Sequence, residues 1–425
     1  MKPALFARIS SVLLVVVAAW AADGQEFLVK KELVWSRPET EIASPQFSAD
    51  GNFVVLVTRV HWPDGDEAEG LPESFFKQLQ LRRSRDPRFA DPVIRLIDLK
   101  GNSACEISYG SSPTVSPDNK TIVFSRQRNP ITGMRALAET QSGNDIQVFD
   151  CEKRQARTLA QPGSGYFDSP VFLADGRLIA YTENEAVNGA MGGPVGIERV
   201  DLTGAQKDIL LTKEATPAVP CPPEGSPKAG FEAFMCSQPT KLSSDFPDLL
   251  LDVASADGQL IVLQAKPVPS PGDMYLAKHY SLRLLSVFPE RNEILSLGQA
   301  DMGGLGKVSL QSASDRRVLI FSQHWKPFSL KTRDWLPEIG PRNTNRRSIY
   351  SPDLKYYLLA EPTEEPSHIS LYQTENGQRL FTSAAVAGLY DMAWSRDSKR
   401  FAVVVVPKGA VGSAYREDLV VYSIP

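Results

Sequence analysis

The chain has 425 residues, with 46 Lys or Arg against 50 Asp or Glu, and its formal net charge at pH 7 is -4. Binding to phosphate backbones needs a concentrated basic surface, so this composition argues against nucleic acid as the main partner. A chain of this length, in which 42% of the residues are hydrophobic, can bury a large core.

The N-terminal residues have the pattern of an export signal. Lys2 and Arg8 form a charged start, residues 12–19 are apolar, and residues 19–21 offer a small-x-small cleavage pattern. The apolar run is too short to span a bilayer comfortably. We therefore predict a signal peptide at residues 1–21, a periplasmic or secreted mature protein, and no stable membrane anchor.

A short phrase then recurs: an apolar residue, Ser or Ala, Pro or Ala, Asp, Gly or Asn, and a run of β-formers. It predicts a tight turn that leads into a strand. A repeated unit that cannot bury its own face must stack on its neighbours, so the repeat determines the fold. Four clear copies and three weaker ones centre on Asp50, Asp118, Asp175, Asp257, Asp315, Asp353 and Asp397.

Each copy continues into further predicted strands. After the turn and its strand, a connection of variable length leads to an apolar strand, a polar turn and a fourth strand, as in residues 146–159. Four strands, here named A to D, in roughly 40 to 50 residues are typical of a propeller blade. Seven copies predict an all-β propeller of seven four-stranded blades in one domain, residues 22–425. Six or eight blades remain alternatives, because the copy at Asp315 is the weakest.

The two ends of the chain complement each other. The last copy has strands A, B and C but no D, while residues 27–35 form a predicted strand before the first copy. Pairing the two would close the ring and hide both open edges. We expect this closure; a leading strand that packs elsewhere is the alternative.

The phrase resembles the repeat of the TolB-like (WD-type) propeller family, which reads Ser-Pro-Asp-Gly followed by an apolar strand. Residues 47–51 and 115–119 are the clearest copies of the phrase that carries the resemblance. That family includes periplasmic binding proteins, propeller domains of prolyl-oligopeptidase-type peptidases and a few lyases. The resemblance therefore implies architecture more strongly than activity.

The connection lengths indicate a binding face. In a propeller the A–B and C–D turns lie on one face, and the B–C and D–A connections lie on the other. Residues 72–81, within the longest B–C stretch, predict a short amphipathic helix that covers the second face. Insertions gathered on one face usually mark a binding face, although insertion without a ligand is the alternative. The long stretches are all B–C or D–A: 61–92, 127–143, 184–195, 213–247, 266–279 and 323 onward.

Histidines and aromatic residues supply the candidate site. All four histidines are predicted on the same rim but in four different blades, so a shared metal site is geometrically poor and local packing or capping is favoured. Trp and Phe suit flat apolar or sugar faces. No catalytic residue and no metal ligand is assigned. The candidate binding residues are His61, Trp62, Phe76, His324 and Trp325.

Cysteines and acidic residues give two further hypotheses. Cys221 and Cys236 share a Pro/Gly-rich stretch, so we predict a disulfide between them. Cys105 and Cys151 lie on predicted strands of different repeats and could be bridged or free. The acidic run at residues 64–69 could hold calcium, but its spacing fits no known calcium loop. No cofactor is predicted, with calcium or a transition metal as the open possibility.

These features favour a binding or interaction module that takes a protein, a peptide or a cell-envelope glycan on the insertion-rich face. We expect a monomer. The chain has no Gly-x-Ser-x-Gly elbow, which argues against a peptidase. The alternative is a carbohydrate-active propeller, similar to a polysaccharide lyase, that uses rim histidines and a metal.

Overall fold

The computed structural model describes residues 27–38, 40–61, 92–127, 144–162, 166–173, 176–187, 190–211, 249–256, 259–268, 279–287, 292–301, 309–321, 325–339, 348–361, 367–410 and 415–425. Across these residues the regular structure is entirely β, with 28 strands in seven four-stranded antiparallel sheets. The protein is a seven-bladed β-propeller, as predicted.

The first three blades follow the order A, B, C, D along the chain. The leading strand β1 (Lys30–Ser36) precedes them. Blade 1 contains β2 (Thr40–Phe47), β3 (Phe53–Val60), β4 (Val93–Asp98) and β5 (Ser103–Ser108); blade 2 contains β6 (Gly110–Val115), β7 (Thr121–Gln127), β8 (Asn144–Asp150) and β9 (Gln155–Ala160); blade 3 contains β10 (Tyr166–Phe172), β11 (Leu178–Val187), β12 (Ala190–Asp201) and β13 (Lys207–Leu211).

Blades 4 to 6 repeat this order, and blade 7 is completed by β1. Blade 4 contains β14 (Leu249–Ala256), β15 (Gln259–Val268), β16 (His279–Val287) and β17 (Asn292–Asp301); blade 5 contains β18 (Ser309–Ala313), β19 (Arg317–Phe321), β20 (Trp325–Ser329) and β21 (Asp334–Trp335); blade 6 contains β22 (Ile349–Tyr350), β23 (Tyr356–Glu361), β24 (His368–Gln373) and β25 (Arg379–Thr382); blade 7 contains β26 (Gly388–Trp394), β27 (Arg400–Val406) and β28 (Asp418–Ser423).

The predicted ring closure is confirmed. β1 pairs antiparallel with β28, in a register that joins Lys30 to Ser423 and Ser36 to Asp418. The N-terminal strand is therefore strand D of the last blade. This pairing uses hydrogen-bonding groups of β28 that would otherwise form an open edge.

The core lies in the seams between blades, where seven hydrophobic clusters each join two neighbouring sheets. β27 shows why. Successive side chains of a strand point to opposite faces, and here Phe401 packs toward blade 6 while Ala402 packs toward blade 1. Both faces of β27 are buried, which explains why every residue of Arg400–Val406 after Arg400 is apolar.

The recurring phrase forms a self-contained A–B turn. In blade 6 the buried Ser351 hydroxyl donates to Asp353 Oδ1 at 2.7 Å and accepts the Tyr356 N–H at 3.0 Å. The same Asp oxygen accepts the Lys355 N–H at 3.1 Å. The residue after the Asp is left-handed, which favours Gly or Asn, as at Gly51. Equivalent bonds occur at Ser48, Ser116 and Ser395.

Two predicted connections are corrected. Residues 184–195 are not a loose insertion, because β11 extends to Val187 and β12 begins at Ala190, which makes one long hairpin. After β19, strand β20 begins at Trp325, so no long B–C connection starts at residue 323. In the first place, strand residues continue through polar or small positions that the sequence pattern assigned to a loop. In the second place, strand C begins earlier than the sequence pattern placed it.

A disulfide joins blades 1 and 2. It links Cys105 on β5 to Cys151 after β8, across 46 residues of chain. Both cysteines pack into the hydrophobic cluster of that seam. The sequence left this pair open between a bridge and free thiols, and the structure has the bridge. The predicted Cys221–Cys236 pair lies outside the described residues.

Candidate functional site

The two faces of the ring carry very different connections. We call the face with the A–B and C–D turns the turn face and the opposite one the connection face. On the turn face, blade 2 passes from Val115 to Thr121 and from Asp150 to Gln155. On the connection face, β3 ends at Val60 and β4 begins at Val93, while β13 ends at Leu211 and β14 begins at Leu249. In these blades the longest separations between consecutive strands lie on the connection face.

Four polar and aromatic side chains meet on the connection face, where blade 7 contacts blade 1. We call Glu41, His61, Tyr415 and Glu417 the seam cluster. The His61 ring stacks on the Tyr415 ring with centroids 3.5 Å apart and planes 12° apart. His61 Nδ1 lies 2.9 Å from Glu41 Oε1. These contacts place an imidazole and a phenol side by side, each next to a carboxylate.

Glu417 is the most buried acid of the cluster, with 3% of its surface exposed. Its Oε1 accepts the Tyr415 hydroxyl at 2.6 Å, and its Oε2 accepts the Ile42 N–H at 2.5 Å. Burial raises the pKa of Glu417 above its ordinary value, and the two hydrogen bonds act in the opposite direction. Glu41 adds to the rise, while His61 opposes it.

Strand order explains why these residues meet. Glu41 lies at the start of strand A in blade 1, and His61 directly follows strand B. Tyr415 and Glu417 directly precede β28, which is strand C of blade 7. Starts of A and C and the end of B all lie on the connection face. The Glu417 N–H also donates to the Thr40 carbonyl at 3.1 Å, which holds the two blades in register.

A second, half-buried carboxylate crosses the same seam. Asp391 on β26 accepts the Ser44 N–H through Oδ2 at 2.9 Å and the Met392 N–H through Oδ1 at 2.8 Å. Burial raises the pKa of Asp391, against the effect of these two hydrogen bonds. Blade 7 thus holds β2 through two carboxylates, each bound to a backbone N–H of that strand.

The geometry at Ser44 recurs in the innermost strands. Ser44 has a φ of 51° and is followed by Pro45, at a register shift between Ala43 and Gln46. Proline suits such a bulge because it has no N–H to offer to the ladder. Comparable serines precede proline at Ser112 and Ser169. Comparing the repeats upstream of each Asp turn could have found this Ser-Pro signal, which the sequence analysis missed.

The predicted site residues have different outcomes. His61 lies in the seam cluster, with 10% of its side chain exposed. Trp325 is the first residue of β20 and only 4% exposed, and its ring contacts Phe321 and Tyr350 in the core between blades 5 and 6. The prediction that it stands in a rim connection is wrong. Trp62, Phe76 and His324 lie outside the described residues, as do residues 64–69 and 72–81.

The histidine and metal hypotheses can be placed only in part. His368 begins β24, and its Nδ1 lies 3.1 Å from the Ser383 carbonyl oxygen, within blade 6. His61 is in blade 1, so these two do not share a site. In the described part of the chain, no group of three or more His, Cys, Asp or Glu side chains could hold a metal ion.

Sequence reasoning missed Glu41, Asp391, Tyr415 and Glu417. Each is a single residue in or next to an ordinary strand, and their sequence gives no motif. What brings them together is the closure of the ring, which places residues 375 positions apart, Ile42 and Glu417, in hydrogen-bond contact.

In the described ranges, no helix is long and apolar enough to cross a bilayer.

Comparisons with known proteins match the fold alone. No family model matches the chain, and neither does any curated protein. Among solved structures, the β-propeller domain of the Trilobed protease from Pyrococcus furiosus, described as having an open velcro topology, is similar at 10% identity. The alignment covers 90% of this chain and 93% of that one, with a TM-score of 0.46.

Two peptidase structures are also similar. The acylaminoacyl peptidase of Pyrococcus horikoshii shares 12% identity over 86% of this chain, with a TM-score of 0.44. An acylaminoacyl peptidase in complex with Z-Gly-Gly-Phe-chloromethyl ketone shares 12% identity over 86% of this chain, with a TM-score of 0.41. This chain spans 49% of the length of each of those peptidases.

Proposed function

We propose that the protein is an exported binding module of TolB-like type, which recognises a protein, a peptide or a cell-envelope glycan on its connection face. The observation that carries this proposal is the contrast between the two faces. On the turn face, the Ser and Asp side chains of the A–B turns are satisfied by their own turns. The connection face carries the longest connections and the seam cluster. Loops on a rigid scaffold are where binding residues concentrate.

The test is capture of partners from the native envelope by the mature protein. In one variant a short Gly/Ser linker replaces residues 62–91, and a second variant shortens residues 128–143 in the same way. The matched control alters the turn face at two exposed lysines, as Lys120→Glu with Lys153→Glu. We expect the connection variants to lose the captured partner and the control to keep it. Equal capture by all variants, or loss only in the control, would contradict the proposal.

A separate experiment identifies the chemical class of the partner. Captured material is treated with a protease or with a glycan-degrading enzyme before elution. Loss of capture after protease identifies a protein or peptide, and loss after glycan degradation identifies a glycan. Size-exclusion chromatography with light scattering of the free protein tests the expected monomer.

A carbohydrate-active enzyme is the second candidate, and one observation favours it. His61 next to Glu41 and Tyr415 next to Glu417 form two carboxylate-oriented groups that suit acid–base chemistry. The test is release of unsaturated sugar ends from acidic polysaccharides. Activity that is lost in Tyr415→Phe, while the thermal unfolding temperature is kept, would support the enzyme. Absence of product from a panel of uronic-acid polymers, with and without added calcium, would count against it.

A further inference from the structure

The seam between blades 7 and 1 is held by a buried acid with an unusual set of neighbours. Glu417 belongs to the last blade and accepts the backbone N–H of Ile42 in the first. Buried carboxylates usually have a cationic partner that compensates for their desolvation. Among the described residues, the groups that act on Glu417 are instead the Tyr415 hydroxyl, the Ile42 N–H, the Glu41 carboxylate and the His61 imidazole.

The nearby charges have partners of their own. Arg416, next to Glu417 in the chain, lies 3.3 Å from Asp418 through its Nε atom. Asp391 is a half-buried acid that also reaches β2, and its contact across the seam is to the backbone N–H of Ser44.

We propose that Glu417 is a proton-sensitive latch between the last blade and the first, which tightens in acid and loosens as the pH rises. When Glu417 is ionised, two carboxylates, Glu41 and Glu417, flank the His61–Tyr415 stack inside the seam. When Glu417 is protonated, its O–H donates to the Tyr415 oxygen while its carbonyl oxygen still accepts the Ile42 N–H. The neutral acid thus keeps its contact to Tyr415 within blade 7 and its contact across the seam to Ile42, without a buried charge.

The sign follows from burial. Burial makes the pKa of Glu417 higher in the folded protein than its ordinary 4.5. A group with a raised folded pKa contributes stability that is complete below its unfolded pKa and is lost as the pH rises through the folded pKa. Asp391 has a pKa shift of the same sign and cause, so it adds to the same trend.

The chain offers a matched control in blade 3. Glu198 is also buried and also accepts a tyrosine hydroxyl, from Tyr181 at 2.7 Å. It differs because Lys207 Nζ lies 2.7 Å from the same carboxylate and because all three residues belong to one blade. A Glu198→Gln substitution therefore removes a buried Tyr–Glu pair without touching the closing seam.

The experiment measures hydrogen exchange of the segment 40–47, which contains the Ile42 and Ser44 amides, from pH 4 to 8 after correction for the intrinsic exchange rate. Loss of a contact across the seam makes local opening more frequent and so lowers the protection of the amides. We expect protection in the full-length mature protein to fall severalfold as the pH rises. Glu417→Gln should keep the acid-like protection throughout and remove most of the trend, and Glu198→Gln should leave the trend unchanged.

The outcomes separate cleanly. A trend that is equal in the parent and in Glu417→Gln overturns the proposal, as does a trend that only Asp391→Asn removes. Uniform loss of protection at every pH in Glu417→Gln means a purely structural role and also overturns it. If Glu417→Gln does not fold, carbon-13 titration of the carboxyl groups in the parent protein decides. A Glu417 pKa at or below its ordinary value refutes the latch, and a higher one supports it.

Discussion

The closing seam and the A–B turns solve the same problem, satisfying backbone N–H groups, with opposite strategies. At the turns, Ser351 and Asp353 serve amides only two to five positions away. At the seam, Glu417 and Asp391 serve the amides of Ile42 and Ser44, at the other end of the chain. Local contacts form whenever the segment folds, whereas the seam contacts exist only once the ring is complete. Stability and pH response should therefore differ between the two regions.

The largest expected effect comes from breaking the closure itself. Leu33 on β1 is 7% exposed, pairs with Val421 and packs in the cluster between blades 7 and 1. Leu33→Asp should lower the free energy of unfolding by about 4 kcal/mol, because it loses apolar burial and places a charge in the core. Urea unfolding followed by circular dichroism measures it.

The neighbouring Val34 supplies the control. It lies on the same strand but is 51% exposed. Val34→Asp should change the unfolding free energy by no more than about 0.5 kcal/mol. Equal losses in the two variants would mean that β1 is not held by the seam core, and the contrast between seam and turns would lose its main support.

The contacts within the A–B turns could be predicted from the sequence, whereas of the contacts across the closing seam only the strand pairing could. The residues that form a turn are consecutive in the sequence, so the seven copies of the Asp phrase could be recognised, and a strand follows each of them. The copy at Asp315 was weak for a physical reason: Ala313 stands where Ser351 stands in blade 6, so its turn lacks the buried hydroxyl. The closure was predictable as well, since a missing strand and a spare strand are both visible in the sequence.

The site was far less predictable. Glu417 and Asp391 are isolated acids whose partners are backbone groups, and a backbone N–H leaves no sequence signal. Trp325 was misplaced because an aromatic residue after a B strand reads equally well as a rim residue or as the start of strand C. The Cys105–Cys151 bridge depends on which strands of blades 1 and 2 face each other, which only the three-dimensional arrangement settles.

Removing the disulfide between blades 1 and 2 should have the next largest effect on stability, and it extends the comparison to a seam that is held by a covalent bond. It closes a loop with a sequence separation of 46. The double substitution Cys105→Ala with Cys151→Ala should lower the unfolding free energy by about 2–4 kcal/mol, mainly because the unfolded chain regains freedom. Equilibrium unfolding without reductant measures this loss.

A second cysteine pair sharpens that result. The control is the double substitution Cys221→Ala with Cys236→Ala. It removes the two cysteines that are predicted to form a second bridge and that lie outside the described residues. If reductant destabilises this control as much as the parent, the Cys105–Cys151 bridge accounts for the whole effect. A reductant effect that persists in Cys105→Ala with Cys151→Ala would instead locate it at the other pair.

Removing one turn hydroxyl should have a smaller effect. Ser351→Ala leaves the partly buried Tyr356 N–H without the Ser351 oxygen, which should cost about 1–2 kcal/mol of unfolding free energy. The control is Ser103→Ala, whose hydroxyl is 3.5 Å from its nearest acceptor at an exposed site and should change stability by less than about 0.5 kcal/mol. A loss at Ser351 as large as that at Leu33 would erase the distinction between local and long-range contacts.

The smallest expected effect concerns pH, where the two regions should respond with opposite signs. The hydrogen bond from Ser116 holds the pKa of Asp118 below its ordinary value. A lowered folded pKa gives stability that is present above the unfolded pKa and is lost as the pH falls through the folded pKa, so acid weakens the turn. Acid strengthens the seam through Glu417, whose pKa burial raises.

Asp118 is exposed, so its share should be under about 0.5 kcal/mol after solvent screening. Asp118→Asn should flatten the acid limb of the stability curve below about pH 4, where ordinary Asp groups titrate, and leave the region above it unchanged. Glu417→Gln should do the reverse. Unfolding free energies of the three proteins measured from pH 3 to 8 test this. If both variants alter the same limb, the carboxylates of the seam and the turns respond alike, and the opposition between them is wrong.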